Sequence, residues 1–104
     1  MLFMRRFIPP LLLAVLLAGA SLGGCAGAPF QEMSDARQAI RAAERAGAAQ
    51  YAPDPLAEAR QLVERARLGM QKGDYRQARD DAEQARSRAM EARRLAEAAA
   101  PPKS

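Results

Sequence analysis

Histidine and tryptophan are absent from this 104-residue chain, and cysteine occurs once. Each shortage removes a class of chemistry. Without histidine there is no Cys/His metal site, and the commonest nucleophile–base pairs of covalent catalysis are missing. A single cysteine cannot close a disulfide within the chain. Long apolar runs are scarce too. The stretch from Leu11 to Leu22 ends in glycines and falls short of the ~20 residues that a membrane-spanning helix needs.

A large charge of one sign is also lacking. The formal net charge is +4, but Arg5 and Arg6 lie in the N-terminal apolar segment, and beyond it 14 basic residues face 12 acidic ones, a net of +2. The basic pI reflects a surplus of arginine, so no nucleic-acid partner is expected. Setting residues 1–24 aside leaves 80, room for one small domain with a modest core.

What is present begins with a secretion-signal pattern over residues 1–24. Arg5 and Arg6 form its positive end, Leu11 to Leu17 its apolar middle, and Gly19 to Gly24 a small-residue approach to cleavage. The segment closes on Leu22-Gly23-Gly24-Cys25, which resembles the lipobox of bacterial lipoproteins. That resemblance implies that Leu22, Gly23 and Gly24 are recognised by the signal peptidase. It implies that Cys25 receives a diacylglycerol and becomes the acylated first residue, with no cofactor besides these acyl chains. Two or three long chains make an anchor effectively permanent, where one myristoyl chain holds only marginally. Ala26 follows the cysteine. In Gram-negative members an Asp there retains the protein at the inner membrane. Ala26 therefore implies sorting to the outer membrane, facing the periplasm (or the outer face of the cell membrane in a source of another kind).

Residues 25–33 hold Gly27 and Pro29 and have the composition of a tether. Its eight residues after Cys25 reach at most about 26–29 Å, which keeps the folded part near the bilayer. From Ser34 the pattern is helical through residue 100, leaving residues 101–104 as a tail. Ser34 is an N-cap candidate, followed at helical spacing by Ala36, Ala39, Ile40, Ala43 and Ala46, and this first helix is expected to fade between Gly47 and Tyr51. Asp54 and Pro55 open a second helix whose stripe is Leu56, Ala59, Leu62, Val63, Ala66 and Met70, with Gly73 past its end. Asp74 caps a third, with Gln77 completing a capping-box pattern. Its apolar positions from Tyr75 to Ala99 recur at gaps of three and four, a heptad seam made almost wholly of alanine. The expected fold is all-α: a signal peptide, a short tether and an antiparallel two- to three-helix module with a long Ala-rich C-terminal helix. That last helix should overhang its hairpin partner unless the first helix covers the rest, leaving the part near Met90 and Leu95 either covered or offered to another molecule.

Gly73-Asp74-Tyr75-Arg76-Gln77-Ala78, with Ala85 seven residues on, is similar to the inter-helix turn of a single tetratricopeptide repeat. One unit does not imply the peptide groove that stacked repeats build. A wider resemblance rests on the repeated alanines, Tyr51-Ala52-Pro53, Leu56, Ala59 and Gly73-Asp74-Tyr75 behind the lipobox. It is to small proteobacterial lipoproteins with domain of unknown function 4398. Some of these carry the helical module ahead of a peptidoglycan-binding domain that this sequence does not include. The resemblance thus implies an envelope location and proximity to peptidoglycan, and names no activity.

No catalytic residue is expected. Asp80, Asp81 and Glu83 form the densest acidic cluster, but carboxylates need a pocket to separate their roles, and a solvated helix face is the expectation. Arg60 and Glu64, Arg79 and Glu83, and Arg93 and Glu97 stand four apart as pairs along a helix. Arg37, Arg41 and Arg45, at the same spacing, form a candidate ridge for anionic headgroups or envelope polymers. Ala85, Ala89, Ala92 and Ala96 are the candidate helix-packing interface. The sequence thus points to a non-enzymatic, lipid-anchored envelope protein whose helical module works by helix packing. Its partners are membrane lipid through Cys25 and an envelope protein, with no small-molecule substrate. The alternative is a spacer that self-associates through the alanine seam, in the manner of murein lipoprotein, although Pro53, Pro55 and Gly73 break the continuous coil of that family.

Overall fold

The computed structural model describes residues 27–102, and four helices take up nearly all of them. They are α1 (Phe30–Arg45), α2 (Ala48–Tyr51), α3 (Pro53–Gln71) and α4 (Tyr75–Ala99). No strand occurs among the described residues, and no helix there is long and apolar enough to cross a membrane. The signal segment, Leu22-Gly23-Gly24, Cys25 and Ala26 lie outside the described residues.

Helices α3 and α4 form an antiparallel hairpin around Gly73, which takes the left-handed conformation at φ +78°. A residue without Cβ meets no steric penalty there. Asp74 then caps α4, its Oδ1 accepting from the Gln77 backbone N–H at 3.4 Å. The Gln77 amide sits between Asp74, Arg65 and Asp81. With its nitrogen turned to Asp74 it donates to Oδ2 at 2.8 Å and accepts from Arg65 Nε at 3.2 Å, which satisfies more groups than the opposite orientation. Helix α4 stops at Ala99, because Ala100 must be extended ahead of Pro101.

Helix α1 lies along the hairpin, starting at the same end as α4. Met33 packs with Ala66, Ala78 and Ala82, while Ile40 and Ala43 join Leu56, Ala59, Ala89, Ala92 and Ala96. These two clusters make the core. From Ala78 to Ala96 the seam is completely buried at Ala78, Ala82, Ala85, Ala89, Ala92 and Ala96, while Tyr75 and Ala99 at its ends are exposed. Each buried methyl contributes about 0.8 kcal/mol, against about 1.5–3 for a whole leucine. Close approach therefore has to be used along the full length.

Two helix starts differ from the sequence expectation. Helix α1 begins at Phe30, so residues 30–33 of the expected tether are its first turn. Met33 extends the stripe Ala36, Ile40, Ala43 backwards by one step and buries itself, which holds that turn. Ser34 is not a cap but an interior residue, accepting from Gln38 Nε2 at 3.3 Å. Helix α3 begins at Pro53, not after Asp54. Proline fits a first helical position, and Asp54 then sits in the first turn, where the helix dipole favours a carboxylate.

The overhang expected for α4 is covered. Helix α1 ends where Gly47 turns at φ +91°, and the single turn α2 brings Ala48 and Ala52 onto Ala92 and Ala96. Met90 and Leu95 stay exposed on the outer side of α4.

Candidate functional site

The end of the bundle where α1 and α4 begin and α3 finishes gathers the chain's unusual surface features. Arg79 ties the entry of the chain to α4: its Nη2 donates to the Gly27 carbonyl at 3.1 Å, and its Nε lies 3.5 Å from Glu32 on α1. Beside this clamp, an open groove of about 470 Å³ runs between α1 and the last turns of α3. Phe30, Met33, Met70 and Tyr75 supply its apolar lining, and Arg37, Arg41 and Arg67 its cations. Phe30 is 72% exposed, the largest exposure among the big apolar side chains described.

Arg67 is occupied. It pairs with Glu64 one turn back, and this hydrogen bond holds the Glu64 carboxyl below its usual range and raises the Arg67 guanidinium. Arg37 and Arg41 have no ion-pair partner among the described residues. The three arginines read from the sequence as one ridge do not line one groove. Arg45 lines a different groove, with Asp35, Gln38, Arg86, Met90 and Arg93. A step of four residues overshoots a 3.6-residue turn by about 40°, so two steps rotate a side chain about 80° around the helix. Arg37 and Arg41 share a face, and Arg45 has turned off it.

The acidic cluster divides as well. Asp81 is 3% exposed and meets Arg65 of α3, with Nε to Oδ2 at 3.3 Å, while Asp80 and Glu83 face solvent. Of the pairs expected along the helices only Arg93–Glu97 forms, at 2.7 Å. Arginine preceding glutamate is the weaker order for such a pair. Arg60 turns instead to Glu44 on α1 at 3.1 Å, and Arg88 holds Glu91 at 2.9 Å while also reaching Glu58 on α3 at 3.1 Å; the Glu91 hydrogen bond first, and the Glu58 charge after it, raise the Arg88 guanidinium. Four of the seven ion pairs among the described residues, Glu44–Arg60, Arg65–Asp81, Glu32–Arg79 and Glu58–Arg88, therefore lace helices to one another.

Ala85, Ala89, Ala92 and Ala96 are all fully buried within the chain, and the last three pack in one cluster with Ile40, Ala43 and Leu56. Gly69 escaped sequence reading although it follows Ala59 and Ala66 at the three-four spacing of the α3 stripe. It is buried, and a Cβ there would sit 3.3 Å from both the Ala78 Cβ and the Asp74 carbonyl, so its bare backbone is what lets α3 reach the start of α4. The Asp81–Arg65 contact had no sequence signal, since it joins positions sixteen apart on two helices.

This geometry defines a small all-helical packing module: three long helices closed by alanine contacts, with an open groove at the end where the chain enters. The chain belongs to the family described as domain of unknown function (DUF4398), which matches residues 31–101. No curated protein and no solved structure matches it.

Proposed function

We propose that the protein is a lipid-anchored lipoprotein of a bacterial outer membrane, facing the periplasm, whose helical module is a non-catalytic accessory piece that engages another envelope component. The observation that carries this reading is the position of Leu22-Gly23-Gly24-Cys25, with Cys25 two residues ahead of Gly27, whose carbonyl Arg79 holds, and five ahead of the first residue of α1. An acylated Cys25 would hold the module directly against the bilayer. The module's grooves are open, and four of the seven ion pairs among the described residues tie helices to one another, an arrangement that supports surface recognition over a reaction. The Gly73 turn resembles one tetratricopeptide unit in how it pairs two helices, which by itself implies no peptide groove.

Self-association as a spacer is the weaker alternative. The alanines that would form a coiled-coil seam are buried against α1, α2 and α3, so a second copy would have to displace them. Labelled palmitate tests the anchor. The chain should incorporate it, and Cys25→Ser should abolish incorporation and release the protein from the particulate fraction. Absence of label in the unaltered chain overturns the reading. In-cell crosslinking from Met90 or Leu95 would then identify the neighbour.

A further inference from the structure

The groove at the chain's entry combines three properties that the rest of the described surface does not bring together. It has exposed aromatic side chains in Phe30 and Tyr75, sulfur-bearing apolar walls in Met33 and Met70, and two unpaired guanidinium groups in Arg37 and Arg41. Tyrosine, an apolar ring with a polar edge, favours the boundary between headgroups and acyl chains, and phenylalanine buries at the same depth on interfacial helices. Guanidinium groups bind phosphate through paired hydrogen bonds. The groove also lies within reach of an anchor at Cys25. The two residues from Cys25 to Gly27 extend at most about 7 Å, and the five to Phe30 at most about 18 Å. Gly27 is itself clamped by Arg79 at this end.

We propose that this groove is the bilayer-facing surface of the module. Phe30 and Tyr75 enter the interface, and Arg37 and Arg41 take the phosphates of anionic lipid. The proposal rests on the reading of Cys25 as the anchor, and it adds an orientation: the α1–α4 starting end lies on the membrane and the α2 end points away. Arg45, turned off this face, takes no part.

The chain has no tryptophan, so a single one introduced by substitution reports its own surroundings. Tyr75→Trp is the reporter, because Tyr75 is fifty residues from Cys25 and anchoring alone does not bring it to lipid. Met90→Trp on the outer side of α4 is the comparator. The full chain is reconstituted with vesicles of brominated phosphatidylglycerol and phosphatidylcholine, or of brominated phosphatidylcholine alone. Helical circular dichroism verifies folding of each variant, and the mass of the N-terminal peptide reads acylation of Cys25. With anionic vesicles, Tyr75→Trp emission should shift to the blue and be strongly quenched, while Met90→Trp stays unquenched. Adding Arg37→Gln and Arg41→Gln should remove most of that quenching, as should omitting the anionic lipid. If Tyr75→Trp is no more quenched than Met90→Trp, or if its quenching is indifferent to both arginines, the proposal is overturned. An unmodified Cys25 would overturn the anchor reading alone, and the quenching pattern would still decide for or against the surface.

Discussion

The two ends of the bundle are built differently. The end beneath α2 holds Leu56, the largest fully buried aliphatic side chain, together with Ile40 and the alanines at 48, 52, 89, 92 and 96. The opposite end has a smaller cluster around Met33, Ala66, Ala78 and Ala82, and leaves Phe30, Leu68 and Tyr75 in solvent. One end is closed by the chain's own turn. The other keeps the exposed aromatics Phe30 and Tyr75 beside Arg37 and Arg41 where the chain enters, while the exposed Met90 and Leu95 lie on the outer side of α4. In a domain this small, whose margin of stability is a few kcal/mol, concentrating burial at one end leaves the other able to offer its surface.

Breaking the closed end should give the largest effect. Ala92→Glu places a carboxylate in a fully buried, alanine-lined contact and should cost about 3–5 kcal/mol, enough to unfold the module, whereas Met90→Glu on the same helix should be close to neutral. Urea denaturation followed by circular dichroism separates the two. Leu56→Ala comes next at about 2–5 kcal/mol, against about 0.5 kcal/mol or less for Phe30→Ala at the open end. Equal costs at these two positions would erase the asymmetry. Arg65→Met should cost about 1–3 kcal/mol, because it strips the charged partner from the buried Asp81 carboxylate. Asp81→Asn should cost less, since Arg65 is 64% exposed at its side chain and can turn to water.

The smallest effect concerns pH. Glu64 has its carboxyl pKa lowered from 4.5 in the folded chain, chiefly by the hydrogen bond from Arg67. A lowered folded value stabilises above the unfolded pKa, and the contribution fades as pH falls through the folded value. Both side chains are about half exposed to solvent, which screens the pair, so Glu64→Gln should only slightly flatten the slope of stability against pH below about 4.5. Thermal midpoints of the two proteins, taken across that range, measure it. A steep change there would mean that the Arg67 side of the groove is better enclosed than its geometry indicates.

Much of the fold was legible because its signals are local. The Gly73 turn, the Asp74 cap and the three-four spacing of alanines each follow from residues close in sequence, and all three appear in the structure. The two helix starts were displaced because proline is compatible both with a connector and with a first turn, and burial of Met33 decided the matter for α1. The arginine ridge was half legible. Spacing of four predicts neighbours, and it holds for Arg37 and Arg41, but accumulated rotation carries Arg45 away. The groove itself was not legible, since Phe30, Arg37, Met70 and Tyr75 come from three helices whose relative placement no local pattern contains. Likewise the pairing of Arg60 with Glu44 and of Arg88 with Glu58 depends on which helices become neighbours.

The shared starting end of α1 and α4 has a mechanical consequence. A pull applied between the front of the chain and a partner gripping α4 near Leu95 would run lengthwise along the contact between two helices that point the same way. Such a load is spread over every turn at once, as in a lap joint, instead of peeling one turn after another. The Arg79 clamp on Gly27 would be the first fastening to feel it.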